Sequence, residues 1–217
     1  MFAGSRSIGK AAEQLGMEVY STDIIPYDRI DLVADIRDVK AQNLPGQFDI
    51  VWASPPCTAF SVAAMGHHWA PGYVPKTEGA QLGMQLSKKT VQLITELNPR
   101  YWFIENPRGM MRKMEWMQEL PRTTVWYCRY GDNRAKPTDI WSNNIKSLSS
   151  PDGFEARTCS NGNTHCHHER APRGSRTGTQ GRKNNHERSK IPHELCIEIL
   201  KSCQHDSTTN KEVQRPA

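Results

Sequence analysis

The sequence predicts an α/β domain built on a mainly parallel sheet, and three observations carry that prediction. Short apolar runs alternate with helical periodicities through the first half of the chain. Asp23, Ser54-Pro55-Pro56-Cys57 and Glu105-Asn106-Pro107 each follow an apolar run, so these polar segments fall at the strand ends where such sheets bind ligands. After Ser150 the texture changes. Residues 151–187 are rich in Gly, Asn, Ser, Thr, Arg and His and nearly devoid of large apolar side chains, which reads as a long loop region or a small irregular module.

The elements follow in order. Gly9 to Gly16 reads as a helix, with Ala11, Ala12 and Leu15 on one face and Gly16 as its stop. Met17 to Ser21 (MEVYS) reads as a strand ending at Asp23, and Phe48 to Ala53 (FDIVWA) as the next. Gly79 to Leu97 is the longest helical stretch, with Leu82, Leu86, Val91, Leu93, Ile94 and Leu97 on its apolar side. Tyr101 to Ile104 (YWFI) is a third strand; Thr123 to Cys128 and Asp139 to Trp141 read as further strands. The helical pattern returns at Pro192 to Cys203, where Leu195, Ile199 and Leu200 are placed to pack on the core.

A chain of 217 residues suffices for one well-buried domain with a small appendage. The net charge of +5 is a mild basic excess, and its distribution says more than its size. Between Arg157 and Lys190 the bases Arg170, Arg173, Arg176, Arg182, Lys183 and Arg188 face only Glu169 and Glu187. The six cysteines show no disulfide-like spacing, so reduced thiols in a cytoplasm are the simpler reading. No apolar run approaches membrane-spanning length.

Three segments carry chemistry. Phe2-Ala3-Gly4-Ser5-Arg6-Ser7-Ile8-Gly9 leads into a helix, where glycine lets the backbone approach a ligand at the helix N-terminus. Asp23, at the next strand end, is placed to accept hydrogen bonds from ribose hydroxyls, and Asp35 in Ala34-Asp35-Ile36 to meet a purine amine. In Ser54-Pro55-Pro56-Cys57-Thr58-Ala59-Phe60-Ser61, two prolines hold the chain extended just before a thiol. Glu105, directly after an apolar strand, sits where partial burial makes a carboxyl group a usable proton donor.

Phe-x-Gly, an acid at the next strand end, Pro-Cys and Glu-Asn, in this order, resemble the cytosine-5 DNA methyltransferase family over residues 2–141 and again over about 188–200. The resemblance implies a Rossmann-like sheet that binds S-adenosylmethionine. It implies a thiolate, Cys57, that adds to carbon 6 of a flipped cytosine and makes carbon 5 enamine-like. It implies an acid, Glu105, that hydrogen-bonds ring nitrogen 3 and the exocyclic amine. By the same resemblance Phe2, Gly4, Ser5, Ile8 and Gly9 form the methionine-side loop. Asp23 and Ile24 hold ribose and adenine, and Asp35 and Ile36 the adenine edge. Pro56 and Leu86 add cofactor contacts. Ser189-Lys190-Ile191-Pro192 is similar to the segment that closes over the cofactor, with Ser189 and Ile191 as contacts. Ser61, Arg129, Arg134 and Lys136 are expected against the nucleic acid, joined by Arg173, Arg176 and Arg182 from a short basic recognition loop.

These readings divide the chain into a cofactor-binding and catalytic domain (1–150), a target-recognition region (151–187), a returning C-terminal motif and helix (188–203), and a disordered tail (204–217). The family has a full strand before Phe2, and here that first strand is expected to be largely missing. Glu-Asn-Pro-Arg stands where Glu-Asn-Val is usual. The expected partner is double-stranded DNA, acted on by a monomer in a bacterial or phage-infected cell; the compactness is similar to that of phage and prophage members, and a restriction-modification role fits the family. An RNA (tRNA) cytosine-5 methyltransferase and an inactive nucleic-acid-binding remnant stay open as alternatives. Cys159-x6-Cys166-x-His168, with His165 and His167 nearby, raises the question of zinc. The spacing matches no standard ligand pattern and no fourth ligand is evident, so no metal is assigned.

Overall fold

The fold was analysed in a computed structural model that describes residues 1–147, 150–169 and 185–204. In chain order the elements are α1 (Ser7–Gln14), β1 (Thr22–Asp23), β2 (Leu32–Val33), β3 (Ile50–Ala53), α2 (Met65–His68), β4 (Trp69–Ala70) and β5 (Val74–Pro75). They continue with α3 (Glu78–Leu97), β6 (Tyr101–Pro107), α4 (Glu115–Gln118), β7 (Arg122–Trp126), β8 (Pro137–Ser142), α5 (Asn185–Ser189) and α6 (His193–Ser202). Arg173, Arg176 and Arg182 lie outside the described residues, as does most of the tail.

The central sheet runs β3-β6-β8-β7. β3 and β6 are parallel, as α/β alternation predicts, because the long α3 carries the chain back between them. β8 is antiparallel to both β6 and β7. This departs from the mainly parallel expectation, and the reason is length: residues 127–136 between β7 and β8 form a short turn, which permits only a reversal.

Strand alternation sorts the core into two faces. Val51, Ile104 and Trp141 face α3, where they meet Ile94 and Ala80. Tyr101, Phe103, Val125, Tyr127 and Ile140 face the other way, onto Leu195 and Ile199 of α6. α3 begins where the Thr77 side chain accepts the Ala80 N–H (3.2 Å) and ends at left-handed Asn98. Its buried positions Ala80, Gly83, Ser87, Thr90 and Ile94 recur at helical spacing. α1 lies beside α6, and its small buried residues Ala11 and Ala12 allow close packing on Cys196 and Leu200.

The expected strand over Met17–Ser21 is not formed; only Thr22 and Asp23 pair, with Leu32 and Val33. Residues 17–20 line a cleft on the side toward β3, with Tyr20 and Phe48 ring centroids 6.2 Å apart across it. Only Met1–Ala3 span the row between β1 and β3. The Met1 ammonium donates to the Trp52 carbonyl (2.7 Å), Ser54 N–H donates to the Met1 carbonyl (3.3 Å), and Ala3 N–H donates to the Thr22 carbonyl (3.0 Å). A strand needs a ladder partner, and Val19 and Tyr20 have none among the described residues.

Residues 150–169 are irregular and are held by isolated backbone bridges at Phe154 and Glu169 and by side chains. Arg157 donates to Glu194 (2.6 Å), pairs with Glu198 of α6, and lies 5.0 Å from the Tyr130 ring centroid.

Ile199 is fully buried under the sheet, so Ile199→Ala should lower unfolding stability by about 2–4 kcal/mol. Lys201→Ala, exposed on the same helix, should change it by less than about 0.5 kcal/mol. Urea melts of the two variants against the parent chain check both.

Candidate active site

The site forms where β6 outruns its neighbour. β3 stops at Ala53, opposite Ile104, whereas β6 continues through Glu105, Asn106 and Pro107 along β8. Beyond Ala53 the chain turns through Ser54–Cys57, and this turn is anchored several times. The buried Asn106 side-chain amide donates to the Pro55 carbonyl (2.8 Å). Phe60 and Ser61 donate their N–H groups to the Cys57 carbonyl (3.0 and 2.9 Å), and Met110 N–H donates to the Phe60 carbonyl (2.7 Å). A Cβ at Gly109 would lie 2.1 Å from the Phe60 carbonyl oxygen, so glycine is what lets the two backbones approach. The half-buried Cys57 thiol therefore sits on a short, braced loop.

Glu105 is buried on the same sheet face as Phe103 and accepts a hydrogen bond from the Tyr127 hydroxyl (3.0 Å). Burial, together with that carboxylate, pushes Tyr127 well above the ordinary phenol range, so the phenol keeps the proton it donates. Burial also raises the Cys57 thiol; the Lys136 ammonium opposes the shift and Glu105 reinforces it. Lys136 itself is pushed down by burial and pulled back up by Glu105 and Cys57. Its Nζ lies 4.6 Å from the Tyr127 ring centroid and donates to the Arg188 carbonyl (3.3 Å). Thiol, carboxylate, phenol and amine thus form one electrostatically connected group.

Beside it, Gly4 takes a left-handed φ of 40° and its N–H donates to Asp23 (2.8 Å). The other Asp23 oxygen accepts Ile25 N–H (3.0 Å), which leaves each oxygen a further lone pair for a hydroxyl donor. Ile24 is 61 % exposed at this strand end, an apolar surface suited to a flat ring. The neighbouring Thr22 hydroxyl is buried with no hydrogen-bond partner. From the far end of the chain, Ile191 N–H donates to Ser7 Oγ (3.2 Å), which lays residues 189–191 over the start of α1.

One cleft of about 2040 Å³ joins these parts. It exceeds the ~300–1,000 Å³ of a small-molecule pocket because it continues between residues 17–20 and 48–52. Of the residues singled out from sequence, Phe2, Gly4, Ser5, Ile8, Gly9, Asp23, Ile24, Pro56, Cys57, Ser61, Glu105, Lys136, Ser189 and Ile191 line it.

Others are placed differently. Asp35 is held by Arg37, which donates to it from both its backbone and its guanidinium and keeps its carboxyl below the usual range. Ile36 is 5 % exposed in the core with Leu93, and Leu86 packs against that cluster. Arg129 is exposed away from the cleft. Arg134 reaches the cleft, but its guanidinium is committed to Asp132 and to the carbonyls of Arg188 (3.0 Å) and Lys190 (3.2 Å). It is 6 % exposed and ties the chain together from within the cleft wall. Tyr127 and Asn106 gain roles that the motifs alone did not give; the strand pattern over Thr123–Cys128 is the signal that faces Tyr127 toward Glu105.

The model of the C-5 cytosine-specific DNA methylases matches residues 17–120, which include both Cys57 and Glu105. A viral relative, the "Probable DNA (cytosine-5)-methyltransferase" of Frog virus 3 (isolate Goorha), is 29% identical over 220 residues, 94% of this chain and 98% of the relative. The chain is similar to this methylase family. The chain is also 32% identical over 80 residues to the type II methyltransferase M.Bsp6I of Bacillus sp. (strain RFL6), covering 37% of this chain and 22% of that one. Its fold is similar to that of a "putative DNA modification methyltransferase encoded within prophage" (E. coli), with a TM-score of 0.51, 17% identity and 73% of this chain covered; the chain spans 50% of the length of that structure. The family uses S-adenosylmethionine. Among the described residues no helix is long and apolar enough to cross a membrane.

Gly109→Ala should weaken folding and the bracing of the Cys57 loop together, seen as a lower melting temperature and faster proteolysis within residues 54–61. Cys57 alkylation by iodoacetamide, followed by peptide mass spectrometry, should accelerate as pH rises from neutrality, because its raised pKa keeps the thiol protonated there. Lys136→Met removes the opposing ammonium and should slow that alkylation roughly 3- to 10-fold at pH 8.

Proposed function

We propose that this protein transfers a methyl group to carbon 5 of cytosine in double-stranded DNA, with Cys57 as nucleophile and Glu105 as the acid that holds the ring. The observation that supports this most is the pairing of a braced thiol with a buried, hydrogen-bonded carboxylate beside the Gly4–Asp23 loop.

The Asp23 oxygens and the exposed Ile24 suit a nucleoside, and Phe2, Gly4 and Ser5, which line the same cleft, would hold its charged end. Bound there, S-adenosylmethionine supplies a methyl group on a sulfonium centre. Cys57 adds as the thiolate to carbon 6, and electron density moves to carbon 5. Glu105, held by Tyr127, hydrogen-bonds ring nitrogen 3 and the exocyclic amine, which stabilises the charge developing on the ring. Once carbon 5 carries the methyl group, a base removes its proton and the Cys57–carbon 6 bond breaks, restoring thiolate and aromatic ring. Lys136 favours the thiolate while it forms. The target base is extruded from the duplex to reach this cleft. Residues 1–150 carry the chemistry, and 151–187, with Arg173, Arg176 and Arg182, carry target recognition.

Tritium transfer from labelled S-adenosylmethionine to duplex DNA should be detected with the parent chain. It should fall by roughly 1,000-fold or more in Cys57→Ser, while 5-fluorocytosine-containing DNA should trap a covalent complex only with the parent. Full transfer by Cys57→Ser would overturn the assignment, and transfer to tRNA in place of DNA would overturn the substrate.

A further inference from the structure

The segment 150–169 poses a physical problem. It is irregular, and Phe154 is its one large, fully buried apolar side chain among the described residues. Small irregular modules that lack a core are held by disulfides or metals. No disulfide is present: Cys128, Cys159 and Cys166 are all free thiols.

These three cysteines are nevertheless gathered. Cys128, in the turn after β7, meets Cys159, Cys166 and His168, and one ligand atom from each lies within 4.8 Å of all the others. Tetrahedral zinc with Zn–S bonds of about 2.3 Å places neighbouring ligand atoms roughly 3.7 Å apart, so a small contraction closes the shell. Cys159 Sγ and His168 Nδ1 are already 3.9 Å apart. Cys128 supplies the fourth ligand that the sequence pattern lacked.

Two further observations point to a ligand. His168 is 6 % exposed, so its ring is held in a dry setting with Nδ1 turned toward the Cys159 sulfur. A sulfur, in turn, receives N–H: the Asn163 side-chain amide donates to Cys159 (3.5 Å). Such donors favour thiolates and are the usual outer support of a metal–thiolate centre. Trp126 and Ala135 pack around Cys128, Cys159 and Cys166 and give the cluster an apolar wall.

We propose that Cys128, Cys159, Cys166 and His168 bind one zinc ion that staples residues 157–169 to the turn between β7 and β8. Three thiolates and an imidazole are the donor set that selects zinc over hard cations. Four protein ligands leave no position for water, so the ion is structural. Its place is consequential, because Cys128 directly follows Tyr127, the residue that hydrogen-bonds Glu105. The same segment meets Arg134 through a backbone bridge at Glu169, and the Arg134 side chain holds the carbonyls of residues 188 and 190.

Metal analysis by plasma mass spectrometry of the full chain, purified without chelator, should find one zinc per chain. Chelator-stripped protein titrated with Co2+ should develop the intense visible bands of tetrahedral cobalt and a near-ultraviolet thiolate-to-cobalt band, both lost on adding Zn2+. The Cys159→Ser/Cys166→Ser double variant should lose the thiolate band, and Cys57→Ser should keep it. Absence of bound metal together with no tetrahedral cobalt spectrum overturns the proposal. So does an undiminished spectrum in the double variant, iron in place of zinc, or a disulfide among the three cysteines. None of these readings depends on methyl transfer.

Discussion

One buried hydrogen bond, from the Asn106 amide to the Pro55 carbonyl, determines how the two halves of the reactive site meet. It joins the end of β6 to the turn after β3, and so sets the thiol of Cys57 relative to the carboxylate of Glu105. Without the amide, a carbonyl in a dry strand end would lose its partner at a cost of about 1–3 kcal/mol. The same constraint accounts for the prolines. Pro55 and Pro56 have no N–H to satisfy at the point where the chain leaves the sheet, so one side chain suffices to anchor the turn. The approach of Gly109 to Phe60 then fixes its other end. The loop is rigid because separate segments brace it, not because of its own sequence.

Much of this was legible in the chain itself, and the failures share a cause. α3 and β6 read clearly because their periodicity reports burial, which a single segment displays on its own. Met17–Ser21 read equally well as a strand yet does not pair, since a strand exists only with a neighbour. Arg134 and Asp35 looked available for ligands because sequence displays charge and not its partner; folded, they face Asp132 and Arg37. Cys128 went ungrouped with Cys159, Cys166 and His168 for a similar reason. Its companions lie far along the chain, and only the reversal between β7 and β8 brings them beside it.

The cations near the cleft do internal work. Arg134 and Lys136 both donate to the Arg188 carbonyl, and Arg134 also reaches that of Lys190. Through these bonds the late segment 188–191 is fastened to the β7–β8 turn on one side and, through Ile191 and Ser7, to α1 on the other. Lys136 also faces the thiol and the carboxylate, so the segment's position is linked to the electrostatics of Cys57. Cleft geometry and chain fastening share the same few polar groups.

The packing of α1 on α6 has a temporal side. Helix α1 finds this neighbour only when residues 193–202 have been made, and Ser7 waits nearly as long for Ile191. Contacts of such sequence separation form late and slowly. During synthesis the apolar face of α1 and the sheet face beneath α6 stay exposed together, a surface for chaperones to hold. The loop from Gly4 to Ser7 is therefore among the last parts to be finished, and a chain interrupted before α6 has no completed cleft to offer.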